Sequence, residues 1–363
     1  MSKHSLKSRR LKRPTERRSK GAAPNKRAAS VAMAAVLSVL LTFSIMGASR
    51  MVSIPCGADI DEKINGDSGN IATRFELGAC EYVASEKIVP KHGDEVAGPV
   101  GTFVQRGPAF DPAPLAVVRG AAGVENVFRP QGTVRLEWLR IEGGTGTRGQ
   151  AGSGTGIAGG DMDDASVVYA SEVTGSDAVG FSNAHGLVDR SEFFDTTRNP
   201  DFLGFTAGGI KAVEEMHVRN SYFHENRGNA IWCDEECDDT SLGRFEATGN
   251  LVVDNGRFGI RWEKVPKRDP GGEALIEGNH VHGNGYDASG RAGVSVHDGA
   301  NAVVRGNTFG QATVAGISYT YNANRLAIRI SDSGHSDRPE TENVTVENNQ
   351  LNGETIKGRG LRP

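Results

Sequence analysis

Residues 218–263 read VRNSYFHENRGNAIWCDEECDDTSLGRFEATGNLVVDNGRFGIRWE, and one short pattern occurs twice within them. The pattern consists of an apolar residue, two variable residues, Asn or Ser, one variable residue and another apolar residue. Its two copies are VRNSYF, ending at Phe223, and ATGNLV, ending at Val252. A second pattern follows each copy, as AIWC at Ala230 and GIRW at Gly259. Both of these segments alternate with period two, which is typical of β-strands with one buried face.

The first pattern recurs along most of the chain. Its Asn or Ser position falls at residues 139, 171, 191, 221, 250, 279, 307 and 349, with Leu139 in the first, degenerate copy. Four consecutive spacings are 30, 29, 29 and 28 residues. Strands this short cannot bury a face alone, whereas stacked coils pair each strand with its counterpart about 4.8 Å away. A β-sandwich gives no reason for constant spacing, and propeller blades need ~40–45 residues. We therefore predict an all-β chain, a single right-handed parallel β-helix over residues 56–353.

The repeated Asn position predicts how the coils turn. Asn tolerates the left-handed backbone of a tight corner, and stacked side-chain amides can bond to one another. We therefore expect the Asn residues to occupy left-handed corners and to form a ladder along the stack. The Gly-rich segment from Gly143 to Asp161 interrupts the pattern and predicts a flexible loop that leaves the stack.

The N-terminal head differs in composition from the rest of the chain. Residues 1–29 hold 11 basic residues and one acid, and residues 28–49 carry no charge. A helix of those uncharged residues would be ~33 Å long, enough to span a bilayer core. We predict a basic cytoplasmic segment at 1–29, a signal peptide or single transmembrane anchor at 30–49, an exported body and a C-terminal tail at 354–363. Cleavage and anchoring both remain open.

The exported body is acidic and contains all four cysteines. Residues 51–363 carry 29 basic and 44 acidic residues, a net charge of −15, which argues against a nucleic-acid partner. Disulfides form outside the cytosol, and Cys56–Cys80 with Cys233–Cys237 is the simplest pairing. The spacing CDEEC is also compatible with metal binding, although two thiols alone make a poor zinc site.

Several segments together resemble a known family. They are GGIKA at 208–212, VRNSYFHENRGNAIWCDEEC at 218–237, TGNLVVDNGRFGIRWE at 248–263, LIEGNHVHGNG at 275–285 and AGVSV at 292–296. They are similar to the exported bacterial parallel β-helix repeat proteins with a pectin-lyase-like fold. The segment ADIDEKIN at 58–65 resembles the short helix that caps the open end of such stacks. The resemblance implies the fold but no single reaction, because the family includes lyases, hydrolases, epimerases and binding proteins.

The period-two strands place two columns of side chains on the outer face of the stack. The first column reads Ser182, Lys211, Trp232, Arg261, Ser295 and Ser318. The second reads Ala184, Val213, Asp234, Glu263, His297 and Thr320. Acids, an imidazole, cations and an aromatic ring on one exposed face suit a sugar polymer. His224, His280 and His282 lie at corner-like positions, where they are expected to be surface residues.

Each residue of this cluster has an expected role. Asp234, Glu263, His297 and Arg261 are the candidate catalytic residues, since carboxylates and imidazole move protons and a guanidinium neutralises a uronate carboxylate. Trp232 and Lys211 are candidate substrate-binding residues, the indole by stacking on a sugar ring. No cofactor is certain, but the loop acids Glu235, Glu236, Asp238 and Asp239 offer oxygen ligands for Ca²⁺. Outward polar residues also occur merely for solubility, and opposite charges across strands stabilise a sheet modestly.

Two functions remain open from the sequence. The first is an extracytoplasmic enzyme, a lyase, epimerase or hydrolase, acting on a uronate-containing polysaccharide. The second is a non-catalytic cell-surface or glycan-binding β-helix, because no complete catalytic signature of the family is present. In both cases the expected partner is a polysaccharide, the membrane is met only through the N-terminal segment, and the protein is a monomer.

Overall fold

The fold is described from a computed structural model of the chain. It covers residues 50–147, 153–159, 165–203, 207–234, 237, 244–263, 273–286, 292–310, 312–314, 317–319, 326–333 and 341–355. The predicted signal or anchor segment at 30–49 therefore lies outside the described residues, as does most of the C-terminal tail. None of the helices within the described residues has the length and apolar character needed to span a bilayer.

Stacked coils of parallel strands form three sides, which we call A, B and C. Side A consists of Asn126–Phe128, Thr155–Ala158, the first halves of Val179–Asp189 and Gly208–Arg219, Asn229–Asp234, Ile260–Glu263, Ala292–His297 and Leu326–Ser331. Side B consists of Arg50–Ile54, Thr73–Leu77, Glu95–Ala97, Arg135–Glu137, Ser166–Tyr169, the second halves of the two long strands, Arg244–Thr248, Glu273–Glu277, Ala302–Arg305 and Thr345–Glu347. The two long strands pass through the corner, so sides A and B form one 17-stranded sheet.

Side C is a separate sheet of 11 strands. It consists of Glu81–Ala84, Ala116–Gly120, Leu139–Glu142, Glu172–Thr174, Glu192–Phe194, Tyr222–His224, Leu251–Val253, His280–His282, Thr308–Phe309, Gln350–Leu351 and Glu354–Thr355. The last strand pairs antiparallel with its neighbour, and the other pairings are parallel. The parallel β-helix predicted from the repeat is therefore confirmed.

The core fills the interior of the coils with the apolar side chains that alternate inward along each strand. On side A the inward column is Ile157, Phe181, Ile210, Ile231, Ile260, Val294 and Ile328, all fully buried. Aromatic rings of successive coils stack on one another, as Phe193 does on Phe223 at 5.2 Å between ring centres. Alternating inward and outward residues thus build a continuous core along the stack.

The predicted Asn ladder is present and uninterrupted. The backbone N–H of Leu139 donates to Ser171 Oγ, and the same bond joins each following repeat position to the next as far as Asn349. The prediction about backbone conformation was wrong by one residue. The left-handed position is the residue before each ladder residue, namely Trp138, Ala170, Arg190, Asn220, Gly249, Gly278, Gly306 and Asn348, with φ between 50° and 65°. The ladder side chain points inward and bonds to the neighbouring coil, so the chain turns just before it.

A second ladder lies at the opposite end of the side C strands, and the sequence analysis missed it. Thr196, Asn226, Asn255 and Asn284 are buried, and each backbone N–H donates to the amide oxygen of the next residue along. They lie five residues after the first ladder positions, so their periodicity was visible in the sequence. Two buried amide ladders therefore fix both ends of side C.

Two antiparallel hairpins project from the stack. Thr102–Arg106 pairs with Ala109–Ala113, and Ala312–Val314 pairs with Ile317–Tyr319. The first hairpin packs on side C, where Ala109 belongs to one buried cluster with Tyr222, Leu251 and Val253. The predicted loop at 143–161 is only partly a loop, because Thr155–Ala158 within it forms a strand of side A. The strand Thr155–Ala158 lies between two neighbouring side A strands, and its Ile157 side chain is buried in the core.

The N-terminal end contains the predicted helix and one of the two disulfides. The helix Ile60–Asn65 is capped by the Asp59 carboxylate, and Ile60 and Ile64 are buried in the core. Its role as a cap of the open end stays a prediction. A 3₁₀ turn occurs at Pro200–Phe202. The predicted pairs Cys56–Cys80 and Cys233–Cys237 are both bonded.

Candidate functional site

The strand register brings the candidate residues of side A into two adjacent columns. Ser182, Lys211, Trp232, Arg261 and Ser295 occupy consecutive coils of the first column. Asp234, Glu263 and His297 follow one another in the second column. We call these eight residues the side A row. The structure therefore brings together every catalytic and binding residue predicted from the sequence.

The two columns continue differently from the sequence prediction, whose last member in the second column, Thr320, lies outside the described residues. Ser295 is followed by Arg329 and His297 by Ser331, because Leu326–Ser331 is the next side A strand. Ser318 lies instead in the antiparallel hairpin. Ala184 also leaves the second column, because the register shifts after Ser182 and pairs Ala184 with the inward residue Ala212.

Each acid of the row is paired with a cation of the row. Lys211 Nζ lies 3.0 Å from Asp234 Oδ2, and Arg261 Nη2 donates to Glu263 Oε1 over 2.6 Å. The same two cations approach the indole of Trp232, with Lys211 Nζ 4.6 Å and Arg261 Cζ 5.7 Å from the ring centre. Cation–π attraction and charge-assisted contacts therefore hold these five side chains together.

The row is far less exposed than the sequence predicted. Trp232, Asp234 and Glu263 are 3%, 6% and 5% exposed, although all three lie on the outward face of side A. Long side chains one strand spacing apart cover one another, which alternation along a single strand cannot reveal. Stacking of a sugar on Trp232 therefore stays a prediction, and it requires the cations beside the ring to move.

Three buried polar atoms of the first column have no hydrogen-bond partner among the described residues. They are Ser182 Oγ, Trp232 Nε1 and Ser295 Oγ. Buried polar groups normally find partners, and exceptions occur at functional sites. These atoms are consistent with a polar ligand along the row.

His297 is the best-defined proton acceptor of the row. Its Nδ1 lies 3.0 Å from the backbone carbonyl of Ser331, which can only accept, so Nδ1 carries the hydrogen. In the neutral form of the ring the lone pair is on Nε2, and this nitrogen lies 3.6 Å from Asp298 Oδ2, with which it forms an ion pair only when the ring is protonated. The side chain is 18% exposed, more than those of the four paired ions. His297 is thus oriented by the backbone, as a general base requires.

The acids proposed for Ca²⁺ cannot be placed. Glu235, Glu236, Asp238 and Asp239 lie outside the described residues. Within the residues that are described, no group of three or more His, Cys, Asp or Glu side chains could hold a metal ion.

A second titratable cluster lies on side C, and the sequence analysis did not predict it. Glu172 and Glu192 are neighbours in register, both 8% exposed, and His224 Nε2 lies 2.8 Å from Glu192 Oε1. Burial and the charge of Glu192 raise the pKa of Glu172 to about 7. Burial also raises the pKa of Glu192, against the lowering effect of its hydrogen bond with His224. His224 is therefore a partner of a buried acid, and His282, 1% exposed, is not a surface residue either.

Solved structures show what this architecture is similar to. PfbA, a surface adhesin of Streptococcus pneumoniae, matches with a TM-score of 0.50 and 16% identity over 85% of this chain and 79% of that one. The A-module of the mannuronan C-5 epimerase AlgE4 of Azotobacter vinelandii matches with a TM-score of 0.47 and 14% identity, covering 87% and 98%. The pectate lyase Pel9A matches with a TM-score of 0.45 and 12% identity, over 86% of this chain and 82% of that one. No protein-family model and no curated protein sequence matches the chain.

The strand topology and the likeness to PfbA agree on the fold. The chain is a right-handed parallel β-helix repeat protein with a pectin-lyase-like fold. At these identities the likeness shows the fold alone. Its two disulfides are typical of proteins outside the reducing cytosol.

Proposed function

We propose that this protein acts outside the cytosol on a uronate-containing polysaccharide, which it binds along the side A row. The observation that carries the proposal is the stacking of two cation–carboxylate pairs and an oriented histidine on four consecutive coils. Lys211 and Arg261 supply positive charge for a uronate carboxylate, and Ser182, Trp232 and Ser295 supply polar atoms for hydroxyl groups.

Proton abstraction fits the row best among the three reactions considered. Elimination from a uronate, or its epimerisation, needs a base near sugar C5 and a cation on the carboxylate. His297 Nε2 is the base in this proposal, because its other nitrogen is held by Ser331. Arg261 lies one coil away and neutralises the substrate carboxylate, which makes the C5 proton more acidic.

The test is turnover by the purified protein on uronate-containing and neutral glycans. The readouts are ultraviolet absorbance of unsaturated products, new reducing ends, and solvent deuterium incorporated at C5. We expect activity on uronates only, and His297→Gln should lower it about 100-fold or more while the protein still folds. His280→Gln on side C is the matched control and should retain activity. Turnover unchanged in His297→Gln would refute the proposed base.

A non-catalytic glycan-binding protein is the second candidate, and one observation favours it. Trp232, Asp234 and Glu263 are buried and paired, as in a structural network. The likeness to a surface adhesin, at a TM-score of 0.50, is compatible with this function. Glycan binding without any turnover, abolished by Lys211→Gln together with Arg261→Gln, would establish it in place of the enzyme.

A further inference from the structure

A notch of about 460 Å³ opens on side C, a different side of the stack from the row described above. Its lining includes three arginines, two acids and one aromatic ring: Arg119, Arg140, Arg198, Glu142, Asp195 and Phe194. A volume of this size lies within the usual range of small-ligand sites, ~300–1,000 Å³. The notch is therefore large enough for a sugar residue.

The notch exists because small residues interrupt a column of large ones. Glu142, Thr174 and Phe194 follow one another in consecutive coils, and Thr174 is the short member. At the adjoining corner Gly175 has a φ of 74° and no side chain, and a Cβ there would lie 3.3 Å from the Arg198 guanidinium. The hollow is thus part of the coil geometry, and guanidinium groups stand on both sides of it.

The lining carries a surplus of positive charge. Of the two acids in the lining, Arg119 and Arg140 share Glu142, at 2.8 Å and 2.6 Å. Arg119 also lies 3.5 Å from Glu81 Oε1, a half-exposed acid outside the lining. The second partner of Arg140 is Glu172, 3.4 Å away, whose pKa is raised to about 7 by burial and by Glu192, so it is only partly ionised at neutral pH. Arg198 pairs with Asp195 at 3.0 Å. Because residues 51–363 have a net charge of −15, this surplus stands out from the rest of the surface.

We propose that the notch binds an acidic sugar residue through its carboxylate, as a second glycan-binding site separate from the side A row. Guanidinium groups match a carboxylate in shape and charge, and Arg119, Arg140 and Arg198 provide three of them. Glu142 and Asp195 accept hydrogen bonds from sugar hydroxyls, which a bare oxyanion does not possess. The Phe194 ring offers an apolar surface for the C–H groups of the sugar. A site here holds a polymer at the stack without taking part in turnover.

The test is a ligand-observed NMR titration of the full-length protein with D-glucuronate, with D-glucose and inorganic phosphate as parallel probes. We expect saturable binding of glucuronate that is at least tenfold tighter than that of either other probe. Arg119→Gln with Arg198→Ala should weaken glucuronate binding tenfold or more. Both side chains are about half exposed, at 49% and 58%, so their replacement leaves the core intact. The control is Arg305→Gln, which removes a similarly exposed arginine–glutamate pair from side B.

Three results would overturn the assignment. Equal affinity for glucose would show recognition without the carboxylate, and equal affinity for phosphate would show a general oxyanion site. Unchanged glucuronate affinity in the double variant, with the folded state verified by circular dichroism, would place the binding elsewhere. The titrations are run in protein that also carries Lys211→Gln and Arg261→Gln, which removes the side A cations. The binding measured then reports side C alone, so failure of this site is distinguishable from failure of the side A proposal.

Discussion

His217 on side B is a buried histidine held between two carboxylates. Its Nδ1 lies 3.1 Å from Glu246 Oε2 and its Nε2 lies 3.0 Å from Glu215 Oε1. Burial lowers the pKa of His217, but the two hydrogen bonds outweigh it and raise the pKa to about 9. The imidazolium therefore ties two carboxylates to the outer face of side B at neutral pH.

The stability of the protein should consequently depend on pH above neutrality. The pKa of His217 in the folded protein exceeds its ordinary value of 6.5. The protonated side chain therefore contributes its full amount to the unfolding free energy below pH 6.5, and this contribution is lost as the pH rises through about 9. We expect this loss to be on the order of 2 kcal/mol of unfolding free energy. Denaturant unfolding at pH 6 and pH 9.5 measures it, and His217→Gln should lack it. His92→Gln, at an exposed histidine, should behave as wild type. The same pH dependence in His217→Gln and wild type would contradict the prediction.

The direction of the Trp232 side chain was predictable from the sequence, but its burial was not. Trp232 was placed correctly in its column, since alternation fixes the direction of a side chain relative to the strand. Its 3% exposure depends on Lys211 and Arg261 lying across it from the neighbouring coils, which are 21 and 29 residues away in the chain. Burial by neighbouring coils is a tertiary property, so the repeat predicts contacts better than it predicts accessibility.

Among the elements, the Asn ladder is the device that joins one coil to the next. Asn279 donates from its amide to Ala247 O at 2.8 Å and to Asn307 Oδ1 at 2.9 Å. Its Oδ1 accepts from the backbone N–H and the amide of Asn250. Replacing it leaves buried polar groups in two coils without partners, each costing about 1–3 kcal/mol.

We expect Asn279→Ala to lower the unfolding free energy by about 3 kcal/mol, measured by denaturant unfolding. Asn279→Ser should lose about half as much, because the serines of the first coils accept the same backbone bond, as Ser221 does from Ser191. Asn70→Ala, at an exposed asparagine, should have almost no effect. An Ala variant as stable as wild type would show that the ladder contributes little.

The strand register was predictable from the sequence where the repeat spacing is regular. From residue 191 to residue 307 the repeat predicted the register of side A and side C, because the coil length was nearly constant at 28–30 residues. It failed at Ile317, since GISY alternates like a coil strand but pairs with Ala312–Val314 in a local hairpin. Strands of a coil and strands of a local hairpin both alternate with period two, so alternation alone does not distinguish them. The gap of 42 residues between ladder positions 307 and 349 was the signal of an insertion.

At the scale of the whole molecule, each coil contacts chiefly its neighbours, so stability should be distributed along the stack. The two disulfides occupy different places in it. Cys56–Cys80 lies at the N-terminal end with a sequence separation of 24, whereas Cys233–Cys237 lies in the middle with a separation of 4. A disulfide that closes a longer loop removes more conformational entropy from the unfolded chain. The expected stabilisation is about 3 kcal/mol for Cys56–Cys80 and about 2 kcal/mol for Cys233–Cys237.

Removing the terminal disulfide should therefore free the end of the stack and leave the middle intact. In Cys56→Ala with Cys80→Ala, we expect faster hydrogen exchange across residues 50–97 and unchanged exchange across residues 273–286, because each interface couples only adjacent coils. Cys233 and Cys237 are fully buried, so Cys233→Ala with Cys237→Ala is the comparison and should instead speed exchange in the central coils. Uniform acceleration along the chain in the first variant would mean that the coils unfold as one cooperative unit. In that case the stability of either proposed glycan site would depend on the whole stack and not on its own coils.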